Sequence, residues 1–297
     1  MYFTKLTLEH KDMYRSYTAG YINAEASFTN IMMWDNSYFH GEYTITDNML
    51  IIKYTNHRGQ QRFSMPYGNG DAVAATQKLC QYCMSAGLDV EILDANSDYV
   101  DKIMQSALFK AECNQNRDYR EYVYLTERLA TLSGKELHSK KNHVNKFKNT
   151  YDYRFVPMDA SITSNCLELA NQWLDAKYNG NKEEYAKEID SISIALNNFD
   201  YFGLFGGVIY IEDKIAAFTV GEKLTDDTAL VHIEKADVSY KGAYATINYE
   251  FANMLKDKFK YLNREEDMGI EGLRKAKMSY KPEFLTDKFR CKIKEIK

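Results

Sequence analysis

The pattern that most constrains this fold is a set of three apolar, strand-like segments joined by very short connections. The segments cover residues 207–211, 215–223 and 229–238, and the connections cover residues 212–214 and 225–228. Because such short connections cannot carry the chain across a sheet, we predict that these strands are antiparallel neighbours.

Helices and single strands alternate around these three strands. Helical patterns at 165–178 and 185–199 come before them; a helix from Gly242, a strand at 261–263, a helix at 270–277 and a last strand follow. This is the order of an N-acetyltransferase-type (GNAT-like) domain. We therefore predict an α/β (α+β) fold with a mixed, mostly antiparallel sheet flanked by helices.

The chain is long enough for a second copy of this plan. Its 297 residues correspond to about two domains. Residues 1–130 show strand and helix patterns in a similar order, and 3 prolines leave little material for an extended linker. We predict two tandem GNAT-like domains over residues 1–130 and 131–297, with the active site in the second.

Composition and cysteine spacing exclude several classes of protein. Hydrophobic residues make up 45% of the chain and charged residues 27%, which excludes general disorder. No signal peptide or apolar membrane-spanning run is visible, so we expect no integral membrane segment and a cytoplasmic protein. The five cysteines are scattered, and we expect no disulfide framework and no metal site. Cys80 and Cys83 form a C-x-x-C pair, for which packing in a helix core is favoured over redox or zinc chemistry.

The net charge of −4 conceals an uneven distribution. Residues 135–148 carry +4 and residues 256–297 carry +5, so the rest of the chain carries −13. Basic zones of this kind bind the phosphates of tRNA, nucleotides, coenzyme A or lipid headgroups. In the first zone, the residues assigned to phosphate binding are Lys140, Lys141, His143, Asn145 and Lys146. A solvated helix with lysine stems along its surface is the alternative.

The strand at 229–238 and the turn after it carry candidate catalytic residues. His232 and Glu234 lie two residues apart on the polar face of the strand. Acyl transfer to an amine requires a group that accepts the nucleophile's proton, so His232 or Glu234 is predicted as the general base. A polar cross-strand pair is the alternative. Lys241 and Gly242 are candidates to bind pyrophosphate at the following helix start, although Tyr244 stands where a small residue is wanted.

The densest charged segment covers residues 263–277 and contains eight charged side chains. It follows a strand, and ligand crevices lie at this position in α/β sheets. Arg274 and Lys277 are three residues apart and share one face of the predicted helix. A solvated, salt-bridged helix is the alternative.

Residues 132–147, which begin Leu-Ser-Gly-Lys-Glu, and residues 263–277 together resemble the bacterial family called DUF2156. That family is similar to the C-terminal, soluble domain of phosphatidylglycerol lysyltransferase. The resemblance covers nearly the whole chain. It implies two tandem GNAT-like domains, as in Fem-type aminoacyltransferases, and transfer of an aminoacyl group from a charged tRNA to an amine or hydroxyl.

The resemblance also implies roles for particular residues. The lysyltransferases carry a Gly-Leu-Arg-x-x-Lys motif near the active site, which Gly272, Leu273, Arg274 and Lys277 match. Arg274 and Lys277 would stabilise the developing oxyanion or the terminal adenosine. Further substrate-binding residues would be Asn263, Arg264 and Gly272. Those enzymes also carry an Asp-x-x-Arg pair on the preceding strand, which residues 232–237 lack.

Three functions follow as hypotheses. The first is an aminoacyl-tRNA-dependent aminoacyltransferase, with charged tRNA as donor and partner and no further cofactor. The second is an acyl-coenzyme A N-acetyltransferase with acetyl-coenzyme A as donor. The third is a non-catalytic tRNA- or nucleotide-binding module. The acceptor stays open among small molecules, peptides and lipids.

Overall fold

The computed structural model describes residues 1–177 and 182–296, and it divides into two compact units. The first unit contains Met1–Arg120 and Thr286–Lys297, and the second contains Glu121–Leu285. Each has a mixed sheet flanked by helices, so the predicted fold class is confirmed. The bounds of the units differ from the predicted 1–130 and 131–297. The strand after Glu121 pairs with a strand of the second unit, and the strand after Lys288 pairs with a strand of the first unit.

The first unit is built on an eight-stranded sheet. Its strands are β1 (Thr4–Lys5), β2 (Glu42–Thr46), β3 (Met49–Thr55), β4 (Gln61–Ser64), β5 (Tyr67–Gly68), β6 (Val90–Ala95) and β7 (Phe109–Gln115), together with the chain's last strand, Phe289–Ile296. Its helices are α1 (Lys11–Thr18), α2 (Phe28–Trp34), α3 (Ala72–Ala86) and α4 (Ser97–Gln105). The strand order is β1-β2-β3-β4-β6, then the last strand, then β7, with β5 beside β3.

Helix α3 shows how local sequence sets the helix ends in this unit. Asp71 accepts hydrogen bonds from the amides of Val73 and Ala74, and the helix ends at Gly87 with a φ of 67°. Cys80 and Cys83 on this helix are buried, which confirms that they pack in the core. Burial raises the pKa of the Cys80 thiol to about 12.

One cysteine expectation is wrong. Cys113 on β7 and Cys291 on the last strand form a disulfide. The two residues face each other in an antiparallel pair of strands, which brings them together across 178 residues of sequence. Sequence spacing alone does not reveal this pairing.

The second unit is built on a seven-stranded sheet. Its strands are β8 (Tyr122–Leu125), β9 (Tyr153–Met158), β10 (Phe205–Ile211), β11 (Lys214–Lys223), β12 (Thr228–Ala236), β13 (Tyr261–Asn263) and β14 (Phe284–Leu285); the last strand of the chain is β15. Its helices are α5 (Thr126–Thr131), α6 (His138–Thr150), α7 (Thr163–Lys177), α8 (Lys182–Asn197), α9 (Phe199–Phe202), α10 (Ala243–Leu255) and α11 (Glu271–Met278).

The strand order of the second sheet is β14-β8-β13-β12-β11-β10-β9. The predicted antiparallel trio is confirmed as β10, β11 and β12, and only β12 and β13 are parallel. The helix predicted over 165–178 is observed as α7, although Tyr178 lies outside the described residues. The side chains of Leu174 and Tyr185 also lie outside the described part of the chain.

Helix α10 packs its apolar face on this sheet and against α6. Ile247, Phe251 and Leu255 are buried along one face of α10, and Phe147 of α6 is buried beside its start. Gly242 precedes the helix with a φ of 100°, and a Cβ there would lie 3.0 Å from the backbone oxygen of His143. Glycine therefore lets α10 begin close against α6.

Two features are absent from the described residues, 1–177 and 182–296. No helix among them is long and apolar enough to span a membrane. No group of three or more His, Cys, Asp or Glu residues among them is arranged to hold a metal ion.

Candidate active site

The parallel strands β12 and β13 separate at their carboxyl ends. They pair only from Thr228 with Tyr261 to Leu230 with Asn263, after which β12 continues to Ala236 and β13 ends. In α/β folds, ligands bind where parallel strands part in this way, and we call this region of the second unit the crevice. The side chains that meet there come from β12, from the 263–267 segment after β13, and from α6, α10 and α11.

Asn263 shapes the start of the 263–267 segment. Its Nδ2 donates to Oε2 of Glu121 at 2.5 Å, and its Oδ1 accepts from the amide of Glu265 at 2.9 Å. The Asn263 residue is fully buried, so these bonds fix the direction in which the chain leaves β13. Asn263, which was predicted to bind substrate, is engaged within the protein.

Lys277 of α11 binds the backbone of the same segment. Its Nζ donates to the carbonyl oxygens of Arg264, Glu265 and Glu266 at 2.6, 3.2 and 2.6 Å. An ammonium group has three hydrogens, so these bonds use its full donor capacity. Burial, opposed by the charge of Glu265, lowers the pKa of Lys277 to about 8. Lys277 therefore holds the segment in shape.

Arg274 binds the end of the segment through Asp267. Its Nε and Nη2 donate to the two Asp267 oxygens at 2.9 and 2.8 Å, and the Asp267 carboxylate is fully buried. The hydroxyl of Tyr122 and the amide of Gly269 also donate to this carboxylate. Burial alone would raise the pKa of Asp267, but the hydrogen bonds from Arg274 and Tyr122 hold it well below its usual range. The two bonds to Asp267 anchor Arg274 to the 263–267 segment.

His232 lies between two carboxylates, and its side chain is 1% exposed. Nε2 lies 3.1 Å from Oε1 of Glu222 on β11, and Nδ1 lies 3.0 Å from Oε1 of Glu265. Burial opposes the charged ring, but the two carboxylates outweigh it and raise the pKa of His232 to about 9. Both ring nitrogens are therefore protonated donors at neutral pH, so this geometry does not suit His232 to act as a base.

Glu234 and Arg264 form an ion pair across the crevice. Nη2 of Arg264 donates to Oε1 of Glu234 at 2.8 Å, and the two side chains are 11% and 15% exposed. Nη1 of Arg264 is buried and has no hydrogen-bond partner among the described residues. The rings of Tyr124 and Tyr280 lie 5.6 and 5.1 Å from the guanidinium carbon. The contacts of Asn263 and Lys277 with the 263–267 segment thus position a guanidinium whose Nη1 has no hydrogen-bond partner among the described residues.

Lys140 of α6 reaches the same tyrosine. Its Nζ lies 4.3 Å from the centroid of the Tyr280 ring, and the side chain is half-buried. Burial and the charge of Arg264 lower the pKa of Lys140, against a smaller opposing effect of Glu234. The structure therefore brings Lys140, Glu234 and Arg264 together, as three of the predicted site residues.

The other predicted binding residues lie elsewhere on the second unit. Lys141, His143, Asn145 and Lys146 are exposed on α6, and no hydrogen bond or ion pair of the described residues joins them to Arg264. Lys141 lines an open depression of about 460 Å³ at the start of that helix.

The glycine and lysine positions predicted to bind substrate have simple environments. Lys241 is exposed, and Gly242 serves the close packing of α10 on α6. A Cβ added at Gly272 would meet no atom within 4 Å, so packing does not require glycine there.

Five crevice residues were not predicted from the sequence: Tyr124, Glu222, Asn248, Glu265 and Tyr280. Glu222 is 2% exposed on a strand that otherwise reads as buried, and a buried carboxylate requires a partner. The tyrosine content of 24 residues was the available signal for Tyr124 and Tyr280. Nothing in their local sequence connects them to Arg264.

Fold and crevice together define a protein built from two GNAT-like units, with a polar crevice in the second where the parallel strands part. The family model described as "Phosphatidylglycerol lysyltransferase, C-terminal" matches residues 20–292, so the chain belongs to that family. This confirms the resemblance seen in the sequence.

Solved structures share the fold of this chain. A crystal structure of a conserved protein of unknown function from Bacteroides thetaiotaomicron VPI-5482 is 36% identical, with a TM-score of 0.92 over 98% of this chain and 99% of that chain. L-PGS from Bacillus licheniformis is 13% identical, with a TM-score of 0.69 over 97% and 92% of the two chains. FemX is 9% identical, with a TM-score of 0.59 over 98% and 97%. The last two likenesses show a shared fold.

One curated relative is an uncharacterised protein from Mycoplasmoides gallisepticum. It is 28% identical over 182 residues, which are 58% of this chain and 56% of that protein. The match thus spans little more than half of the relative's length.

Proposed function

We propose that this protein is an aminoacyltransferase that moves an aminoacyl group from a charged tRNA to an amine or hydroxyl acceptor in the crevice of the second unit. The observation that carries the proposal is the Glu234–Arg264 pair, set where β12 and β13 separate, in a member of the lysyltransferase family. This pair places an acceptor of protons beside a buried donor of hydrogen bonds.

The transfer requires one bond to form and one to break. The acceptor's nitrogen or oxygen attacks the ester carbonyl carbon, and Glu234 takes up the proton that the nucleophile loses. Nη1 of Arg264 donates to the carbonyl oxygen as it becomes an oxyanion. The ester bond to the terminal ribose then breaks, and the ribose oxygen leaves with the proton from Glu234.

His232, Arg274 and Lys277 act as positioning residues in this proposal. Their nitrogens bind Glu222, Glu265, Asp267 and backbone carbonyls, as described above, and they fix the 263–267 segment that presents Arg264. A donor held in place in this way, here Arg264, stabilises developing charge without rearrangement during the reaction.

The exposed basic side chains of α6 provide a surface for the tRNA backbone in this proposal. Lys141 and Lys146 are exposed on that helix, on the unit that contains the crevice. Phosphate contacts of this type make binding dependent on salt, because counterions are released from the nucleic acid.

The test begins with binding and continues with transfer. A mixture of tRNAs charged with labelled amino acids should bind the protein at low salt, and affinity should fall linearly with the logarithm of salt concentration. The Lys141→Ala and Lys146→Ala variants should weaken binding and reduce the slope, whereas Lys214→Ala on an exposed hairpin should not. The absence of charged-tRNA binding at low salt would refute the proposal.

Transfer is measured as movement of label from tRNA to a pool of candidate amines, peptides and lipids. Arg264→Lys keeps the charge but loses the planar donor set, and we expect it to lower the transfer rate about 100-fold. Glu234→Gln should lower the rate without weakening tRNA binding.

A binding module without catalysis is the second candidate. It is favoured by the extent to which His232, Arg274 and Lys277 are bound to other protein groups. Salt-dependent tRNA binding without movement of label to any acceptor would favour it.

The coenzyme A hypothesis finds less support. In the turn before α10, the amides of Ser239, Tyr240 and Ala243 already donate to protein oxygens. These three amides are therefore not available to bind a pyrophosphate. Thermal stabilisation by acetyl-coenzyme A would reverse this ranking.

A further inference from the structure

The crevice contains two buried polar atoms that lack partners, and they are of opposite kinds. Nη1 of Arg264 is a donor, and Oδ1 of Asn248 on α10 is an acceptor; neither has a hydrogen-bond partner among the described residues. Asn248 is 3% exposed. Buried polar groups are nearly always paired, so each such exception requires an explanation.

Both atoms belong to side chains that bind Glu234. Arg264 donates to Oε1 of Glu234 through Nη2, and Asn248 donates to Oε2 through Nδ2 at 3.4 Å. Glu234 therefore lies between the unpaired donor and the unpaired acceptor. A ligand that satisfies both must present an acceptor on one side of Glu234 and a donor on the other.

Lys140 is a second cation in this region, and it also favours a ligand that carries a hydrogen-bond acceptor. Its ammonium lies 4.3 Å from the centroid of the Tyr280 ring, and the Arg264 guanidinium carbon lies 5.1 Å from the same ring. The described residues give Lys140 no hydrogen bond or ion pair. Two cations beside one ring repel each other, and an anion within reach of both relieves that repulsion.

We infer that the crevice binds a ligand in which a monovalent oxyanion adjoins an amine. The oxyanion accepts from one N–H of Nη1 of Arg264 and from Lys140, which leaves the second N–H of Nη1 for the ester carbonyl of the aminoacyl donor. The amine donates to Oδ1 of Asn248 beside Glu234. This inference rests on the proposed function, in which the ligand is the acceptor and the amine is its nucleophile. A carboxylate, as in an amino acid or a peptide end, and a phosphodiester both supply such an oxyanion.

Small probes separate the two halves of this recognition. The probes are glycine, acetate, methylammonium and dimethyl phosphate, and the readout is the dissociation constant from thermal stabilisation of the full-length protein. We expect glycine to bind more tightly than acetate or methylammonium, because only glycine satisfies both unpaired atoms. Competition of acetate with glycine indicates a carboxylate site, and competition of dimethyl phosphate with glycine indicates a phosphodiester site.

Variants test which protein atoms bind the oxyanion of the ligand and which atom binds its amine. Lys140→Met, on the half-exposed face of α6, and Arg264→Gln should each weaken binding of glycine and acetate roughly tenfold or more, since each removes a charged donor. Asn248→Leu should remove the preference for glycine over acetate and leave acetate binding in place. Lys214→Met, on an exposed hairpin, is the matched control and should bind all probes as the parent protein does.

Two results would overturn the inference. The first is equal affinity for glycine and acetate in the parent protein, because the amine would then have no partner. The second is an unchanged response to all probes in both Lys140→Met and Arg264→Gln. Failure of the proposed function has a different signature, because charged-tRNA binding and label transfer are measured without these probes.

Discussion

The buried imidazolium of His232 makes the stability of the second unit dependent on pH, and replacing it with glutamine should remove that dependence. The pKa of this ring rises from 6.5 to about 9 on folding because Glu222 and Glu265 outweigh the effect of burial. Below 6.5 the ring is protonated in both the folded and the unfolded chain, and the full stabilisation is present. Between 6.5 and about 9 only the folded chain keeps the proton, so the free energy of unfolding falls as pH rises.

The size of the effect follows from the shift. Each tenfold change in proton affinity corresponds to about 1.4 kcal/mol, so the contribution is about 3 kcal/mol at low pH. Between pH values of about 6 and about 8, roughly 2 kcal/mol of this should be lost. Lys277 acts in the opposite direction above its lowered pKa of about 8, which makes the lower window the informative one.

Urea unfolding measures this loss. The chain has two tryptophans, so a Trp34→Phe background leaves Trp173 of the second unit as the reporter. The free energy of unfolding of the parent should fall by about 2 kcal/mol more over this window than that of His232→Gln. His138→Gln, at an exposed histidine of the same unit, is the control and should follow the parent. Equal slopes for the parent and His232→Gln would refute the interpretation of His232 as a buried imidazolium.

Three other perturbations test separate features. Cys113→Ser or a reductant opens a loop of 178 residues, and chain entropy predicts a loss of about 5 kcal/mol, visible as a lower urea midpoint. Lys277→Met leaves three carbonyl oxygens without their donor, and we expect a loss of roughly 3 kcal/mol or more together with weaker charged-tRNA binding. Gly242→Ala forces a side chain into a left-handed backbone 3.0 Å from the His143 oxygen, and calorimetry should show a lower melting temperature. An unchanged midpoint, unchanged binding or unchanged melting temperature would contradict the respective argument.

The fold was predictable where local pattern decides it. The antiparallel trio of β10, β11 and β12 follows from alternation and short connections, and α3 follows from the cap at Asp71 and the stop at Gly87. The unit boundaries were not predictable, because β8 and β15 pair with strands far away in sequence. The disulfide follows from that same long-range pairing.

The site was predictable in position more than in role. His232, Glu234 and Arg264 lie together at the crevice, because the first two follow the parallel pairing of β12 and Arg264 directly follows β13. The roles proposed for His232 and Lys277 differ from the predicted ones because their partners are distant in sequence or are backbone atoms. Glu222 pairs with His232, and three carbonyl oxygens bind Lys277. Phosphate binding by the lysines of α6 stays a prediction.

The return of β15 to the first sheet affects how the chain folds during synthesis. The second unit is continuous in sequence, whereas the first unit lacks the strand between β6 and β7 until residues 289–296 are made. At about 5–20 residues per second, the ribosome needs roughly ten to forty seconds to go from β7 to β15. The first unit is therefore completed only after the second unit has been made. Until then the edges of β6 and β7 stay unpaired, while the second unit can already fold.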